Sequence, residues 1–232
     1  MTSIAAGIDV PVTSRSRPEV LLLRMTGLAL FLLVPAAVSS LALSRPGHRV
    51  AWLLCGYSPE RLVHGEVWTL PASAFMLARL ATIGPTTILV AVVFMPFVLV
   101  NGLRKAVWTF IVGHVGATLA VFAVVVPLAA LGAPWARHVY LTRDVGASAG
   151  LMAVAGAMCV VLARRAPALG VGLAVLLFGF FVVWEVVHGE NAGRVLADVE
   201  HLLAFTIGAA LEWRAATPSA LPPNPTMAAC AS

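Results

Sequence analysis

Two residues of this chain could together do covalent chemistry. Ser148 stands in "GASAG", residues 146–150, and His201 in "VLADVEHLLAF", residues 195–205. A serine hydroxyl is a weak nucleophile until a base within hydrogen-bond reach takes its proton, and a neutral imidazole can do that. Taken singly, each residue has a plainer reading. "GASAG" is also what a helix-packing patch looks like, and a histidine near a helix end is usually packed or interfacial. The same string fits the G-x-S-x-G elbow of soluble hydrolases. That elbow needs a strand–turn–helix, which a chain of this composition does not supply.

The elements that must position the pair follow from composition. Of 232 residues, 60% are hydrophobic and only 11% charged, too apolar for a water-soluble globule of this size. Apolar runs near the roughly 20 residues that span a bilayer recur along the chain. They predict an all-α integral membrane protein with six spans, at about 19–43, 84–102, 107–130, 145–163, 168–187 and 195–213. Residues 1–18 read as a flexible cytoplasmic tail, 19–213 as the membrane domain, and 214–232, rich in Pro, Ala and Ser, as a disordered tail. Residues 44–83 interleave Trp, Leu and Phe with Arg, His and Glu, which suits an interfacial loop with short amphipathic helices.

Charge sets orientation rather than partners. Arg15 and Arg17, Arg104 and Lys105, Arg164 and Arg165, and Arg214 flank the ends expected at the cytoplasmic face, so both termini lie inside. The net charge of +5 is therefore assigned to topology and lipid contact, not to nucleic acid. A multi-pass protein of a bacterial plasma membrane is the expected location. Cys55, Cys159 and Cys230 show no CxxC spacing and support neither a disulfide framework nor a zinc site.

On this plan the fourth and sixth spans run parallel and both begin at the outer face. Ser148 lies about three residues into one and His201 about six into the other, roughly 9 Å along the axis at 1.5 Å per residue. Gly150 and Gly156 on the first helix, with Ala204 and Gly208 on the second, offer the small surfaces that let such helices approach closely. A Ser148–His201 dyad at shallow depth is the geometric expectation. Asp198, one turn before His201, could orient the ring if the two share a face.

With these residues in place the chain resembles the rhomboid family of intramembrane serine proteases. "GASAGLMAVAGA" is similar to the family's G-x-S-G segment, "EHLLAFTIG" to its A-H-x-x-G-x-x-x-G segment, and "GEVWTLPASAFM" to its first-loop segment. The resemblance implies a six-helix rhomboid-like bundle, Ser148 as nucleophile, His201 as general base and no cofactor or metal. It places the family's glycines on Gly146 and Gly208, and it implies that backbone amides beside Ser148, Ala149 included, help hold the oxyanion. This chain has Ala149, Glu200 and Ala204 where the family has glycine, alanine and glycine, and "LATIGPTTILV" carries none of the family's H-x-x-x-N donors. Thr86, Thr87 or His114 are the candidate substitutes.

Three functions follow as expectations. The first is a protease that cuts a transmembrane substrate near the outer face. The second is a rhomboid-like pseudoprotease that binds transmembrane helices. The third is an ion or metal transporter, using His188, Glu190, Asp198, Glu200 and His201 at one membrane face.

Overall fold

The computed structural model describes residues 18–29, 50, 52–76, 83–188 and 192–216. The rest of the first expected span, 30–43, and both expected tails apart from 18 and 214–216 lie outside the described residues. Within them every regular element is helical, and the only extended pairing is one isolated bridge between Tyr57 and Asp144. Helix α1 covers 18–29; in the loop, residues 50 and 52–55 are helical, and α2 (Pro59–Val63) and α3 (Thr69–Ser73) follow. The longer elements are α4 (Ile83–Leu89 and Met95–Asn101, joined by a π turn at Val90–Phe94), α5 (Leu103–Ala130), α6 (Pro134–Leu141), α7 (Ser148–Arg165), α8 (Pro167–His188) and α9 (Ala192–Ala216). Leu103–Ala130 and Ser148–Arg165 are long and apolar enough to cross a membrane.

Local chemistry explains several boundaries. Pro96 has no amide hydrogen for the helix ladder, and the π turn just before it accommodates that loss. Gly102 takes φ +87°, which permits α4 to end and α5 to begin across a single residue. Its amide bonds Val98 O at 2.8 Å, and an Arg24 guanidinium on α1 caps the nearby carbonyl of Leu99. Ser58 caps α2 by accepting from the amide of Arg61 at 3.3 Å. Several ends differ from the sequence expectation: α5 starts at Leu103 rather than 107 and α9 at Ala192 rather than 195. Helix α7 starts at Ser148 rather than 145, because residues ahead of it are held by the loop. Helix α9 continues through Ala216, into the stretch expected to be tail.

Helix α7 is the centre of the bundle. Residues 149–157 are buried without interruption, so the helix has neighbours on every side, with α9, α5 and α8 packed around it. The approach is close enough to require glycine. A Cβ on Gly208 would lie 1.8 Å from Ala153 O, and one on Gly156 would lie 2.0 Å from Phe205 O. On the opposite flank, a Cβ on Gly113 of α5 would lie 2.0 Å from Ala153 Cβ, and one on Gly150 would lie 2.6 Å from the Phe110 ring. Ala204 is fully buried between the same helices. At the other end, Lys105 of α5 pairs with the buried Glu212 of α9 at 2.6 Å. Arg164 of α7 reaches Trp213 O at 3.1 Å.

These contacts predict a contrast between two alanine substitutions. Gly208→Ala pushes a methyl into backbone and costs about 1–3 kcal/mol or more. Gly172→Ala enters open space on α8 and is neutral or stabilising by up to about 1 kcal/mol. Thermal unfolding in detergent should separate the two clearly; equal midpoints would contradict the packing described.

Candidate active site

Ser148 is the first residue of α7, so its hydroxyl stands at the mouth of the bundle, beside amides that have no partner within the helix. His201 projects from α9 and brings Nε2 to 2.8 Å from Ser148 Oγ, across 53 residues of sequence. Its Nδ1 faces Asp198 Oδ1 at 3.4 Å, one turn back on the same helix. With Nδ1 carrying the hydrogen towards the carboxylate, Nε2 has the free lone pair that can take the serine proton. Both side chains are mostly shielded, His201 at 17% exposure and Asp198 at 13%.

The loop fixes Ser148 from the other side. Tyr57 and Asp144 exchange backbone hydrogen bonds, Tyr57 N to Asp144 O at 3.0 Å and Asp144 N to Tyr57 O at 2.8 Å. Two residues on, the Gly146 amide donates to Ser73 O at 3.1 Å. These bonds hold 144–146 extended and delay the start of α7 until Ser148. Gly146 therefore orients the turn, since its N–H is already engaged. Ala149 is buried in the first helical turn, and its amide is one of those the helix leaves open.

His114 lines the same cavity but is committed elsewhere. Its Nε2 lies 3.1 Å from both Leu70 O and Ser73 Oγ, and Ser73 Oγ itself donates to Leu70 O at 2.8 Å. A carbonyl only accepts, so Nε2 carries the hydrogen and Nδ1 of the neutral ring is an acceptor. The oxyanion donor expected from His114 is thus turned towards the loop. Thr86 is half-buried and Thr87 exposed on α4, and neither borders the cavity beside Ser148. Glu190 and the side chain of His188 lie outside the described residues. Among the described residues no group of three or more His, Cys, Asp or Glu is placed to hold a metal.

No family model matches the chain, and no curated protein is significantly similar to it. The site therefore has to be read from its own geometry.

Sequence reasoning overlooked the polar group behind the dyad. Tyr57 donates its hydroxyl to Glu200 Oε2 at 3.0 Å, and Thr118 donates to Glu200 Oε1 at 2.6 Å. Asp144 Oδ2 lies 3.4 Å from the same phenol oxygen. Burial, and then the carboxylates of Glu200 and Asp144, push the Tyr57 phenol well above its ordinary pKa, so the hydroxyl keeps its proton and acts as a donor. Thr118 and Glu200 are 82 residues apart and Tyr57 and Glu200 143. No periodicity could have paired them. The usable signal was Glu200 itself, an acid beside the histidine in an apolar helix.

Tyr57→Phe should destabilise the protein by about 1–3 kcal/mol, because the buried Glu200 loses a donor. Adding Glu200→Gln should recover part of that loss, since a neutral amide needs the phenol less. Unfolding midpoints of the two single variants and the double variant check this, and strict additivity would contradict the coupling.

Proposed function

We propose that this chain is a rhomboid-like intramembrane serine protease that cleaves transmembrane proteins near the outer membrane face. The observation that carries the reading is the 2.8 Å approach of His201 Nε2 to Ser148 Oγ. In this reading α1, α4, α5, α7, α8 and α9 are the six spans of a multi-pass plasma-membrane protein with both termini in the cytoplasm. The small loop helices sit in the outer interface. The partners are a transmembrane substrate and the surrounding lipid.

The mechanism follows from the geometry. Ser148 Oγ attacks the substrate carbonyl as its proton passes to His201 Nε2, and Asp198 favours the imidazolium that forms. Open amides at the start of α7 face the developing oxyanion, where the helix dipole adds to their effect. The tetrahedral intermediate collapses as His201 returns the proton to the leaving amine, which leaves an acyl-enzyme on Ser148. Water then gives its proton to His201 and attacks the ester carbonyl. The acid product departs and Ser148 recovers its hydrogen.

One observation favours a second reading, a pseudoprotease that binds transmembrane helices without cutting them. The His114 N–H that would have served the oxyanion is engaged by Leu70 O at 3.1 Å. A helix-binding role would keep the bundle and dispense with turnover.

Fluorophosphonate labelling of the purified protein separates the two readings, because the probe reports an activated serine without needing the substrate. The protease reading predicts label on Ser148 that disappears in Ser148→Ala and in His201→Ala. Asp198→Asn should slow labelling about tenfold, the scale of one hydrogen bond to a charged group. Folded protein that takes no label would overturn the protease reading and favour the pseudoprotease.

A further inference from the structure

Beside Ser148 lies a cavity of about 120 Å³, bordered by Tyr57, His114, Asp144, Glu200 and the dyad itself. A buried water needs roughly 10–15 Å³ of such space, so the cavity holds far more than one water and admits an unbranched side chain. The residue whose carbonyl Ser148 attacks must place its side chain next to the nucleophile. What the cavity offers that side chain is decided by counting donors and acceptors.

Beyond the open amides at the start of α7 and the Val145 amide, which donates to Asp144 Oδ1 at 2.7 Å, the walls supply few donors. Tyr57 has one hydroxyl hydrogen, and it lies between Glu200 Oε2 at 3.0 Å and Asp144 Oδ2 at 3.4 Å. Behind the walls, Thr118 has one as well, placed between Glu200 Oε1 at 2.6 Å and His114 O at 2.9 Å. The Nε2 hydrogen of His114 points at the loop, and its Nδ1 has no partner although the residue is only 1% exposed. Against these stand two carboxylates with room for about four hydrogen bonds each. Glu200 is buried at 7% exposure, while Asp144 is exposed at the mouth. Among the described residues no lysine or arginine pairs with either acid. A buried carboxylate without a cation is costly, and the unpartnered Nδ1 of His114 adds to the surplus of acceptors.

We propose that this cavity is a specificity pocket for a primary ammonium group, so that the preferred substrate carries lysine at the residue whose carbonyl Ser148 attacks. An ammonium has three donors and no acceptor, the complement of these walls. Entering past Asp144, it meets Glu200 at the closed end. Norleucine, which has the same four-carbon chain without the ammonium group, brings nothing to the acceptors. The inference rests on the catalytic reading above and adds the substrate class to it.

The test uses three serine-directed probes on the full-length protein in detergent. Two are peptidyl diphenyl phosphonates that differ only in bearing a lysine or a norleucine side chain; the third is a small alkyl fluorophosphonate. The lysine probe should label Ser148 at least about tenfold faster than the norleucine probe, the low end for a charged hydrogen bond. That ratio should fall towards one in Glu200→Gln, and comparing two probes on the same variant cancels any general loss of reactivity. Fluorophosphonate labelling with a lysine-to-norleucine ratio near or below one would overturn the pocket and leave the protease reading standing. So would a ratio that survives Glu200→Gln. No labelling by any of the three would overturn the catalytic reading and the pocket with it.

Discussion

Ala153 is held between two glycines, and the candidate site depends on that arrangement. On one side the place for a Cβ on Gly113 is 2.0 Å from Ala153 Cβ; on the other, the place for one on Gly208 is 1.8 Å from Ala153 O. Only at this separation do α7 and α9 run with their backbones in contact, and only then does an imidazole on one reach a hydroxyl on the other. In the membrane setting proposed above there is little hydrophobic drive to bring helices together. Close packing through small residues must supply much of the attraction. The dyad is therefore a consequence of backbone contact about a turn and a half further along α7.

The second constraint acts across the helices and is polar. The loop is tied to the segment ahead of Ser148 by the Tyr57–Asp144 bridge and to α9 by the phenol of Tyr57 on Glu200 at 3.0 Å. Thr118 of α5 holds the same carboxyl at 2.6 Å. Three segments distant in sequence thus converge on one side chain next to His201. A hydrogen-bonded group of this kind has few alternative partners in an apolar surround, so it fixes rotation and register as well as adding stability. Glycine contact sets how near α9 comes, and the Glu200 group sets which way it faces.

How much of this was legible in the sequence differs by residue. The spacing of small residues on the fourth and sixth apolar runs was enough to place Ser148 and His201 together, because both features are local and helical. Asp198 followed from its position one turn before the histidine. The start of α7 was misjudged by three residues: the hydropathy of Val145 and Gly146 is compatible with helix, whereas the backbone of Asp144 is held by Tyr57 and that of Gly146 by Ser73. His114 stood out as a histidine within an apolar run, but its tautomer depends on Leu70 O, a loop atom that no pattern on α5 reveals. Tyr57 and Thr118 gave no signal, since their roles exist only once the chain has folded.

The central claim is that His201 activates the side chain at position 148, and a thiol reports this most directly. Ser148→Cys, made in a background with Cys55, Cys159 and Cys230 replaced, can be alkylated with iodoacetamide across a range of pH. A thiol beside a histidine that can hold its proton ionises early. The geometry predicts an apparent pKa below about 7.5 for this cysteine, returning to about 8.5 when His201→Ala is added. An ordinary value near 8.5 in both proteins, with the bundle intact, would contradict the account.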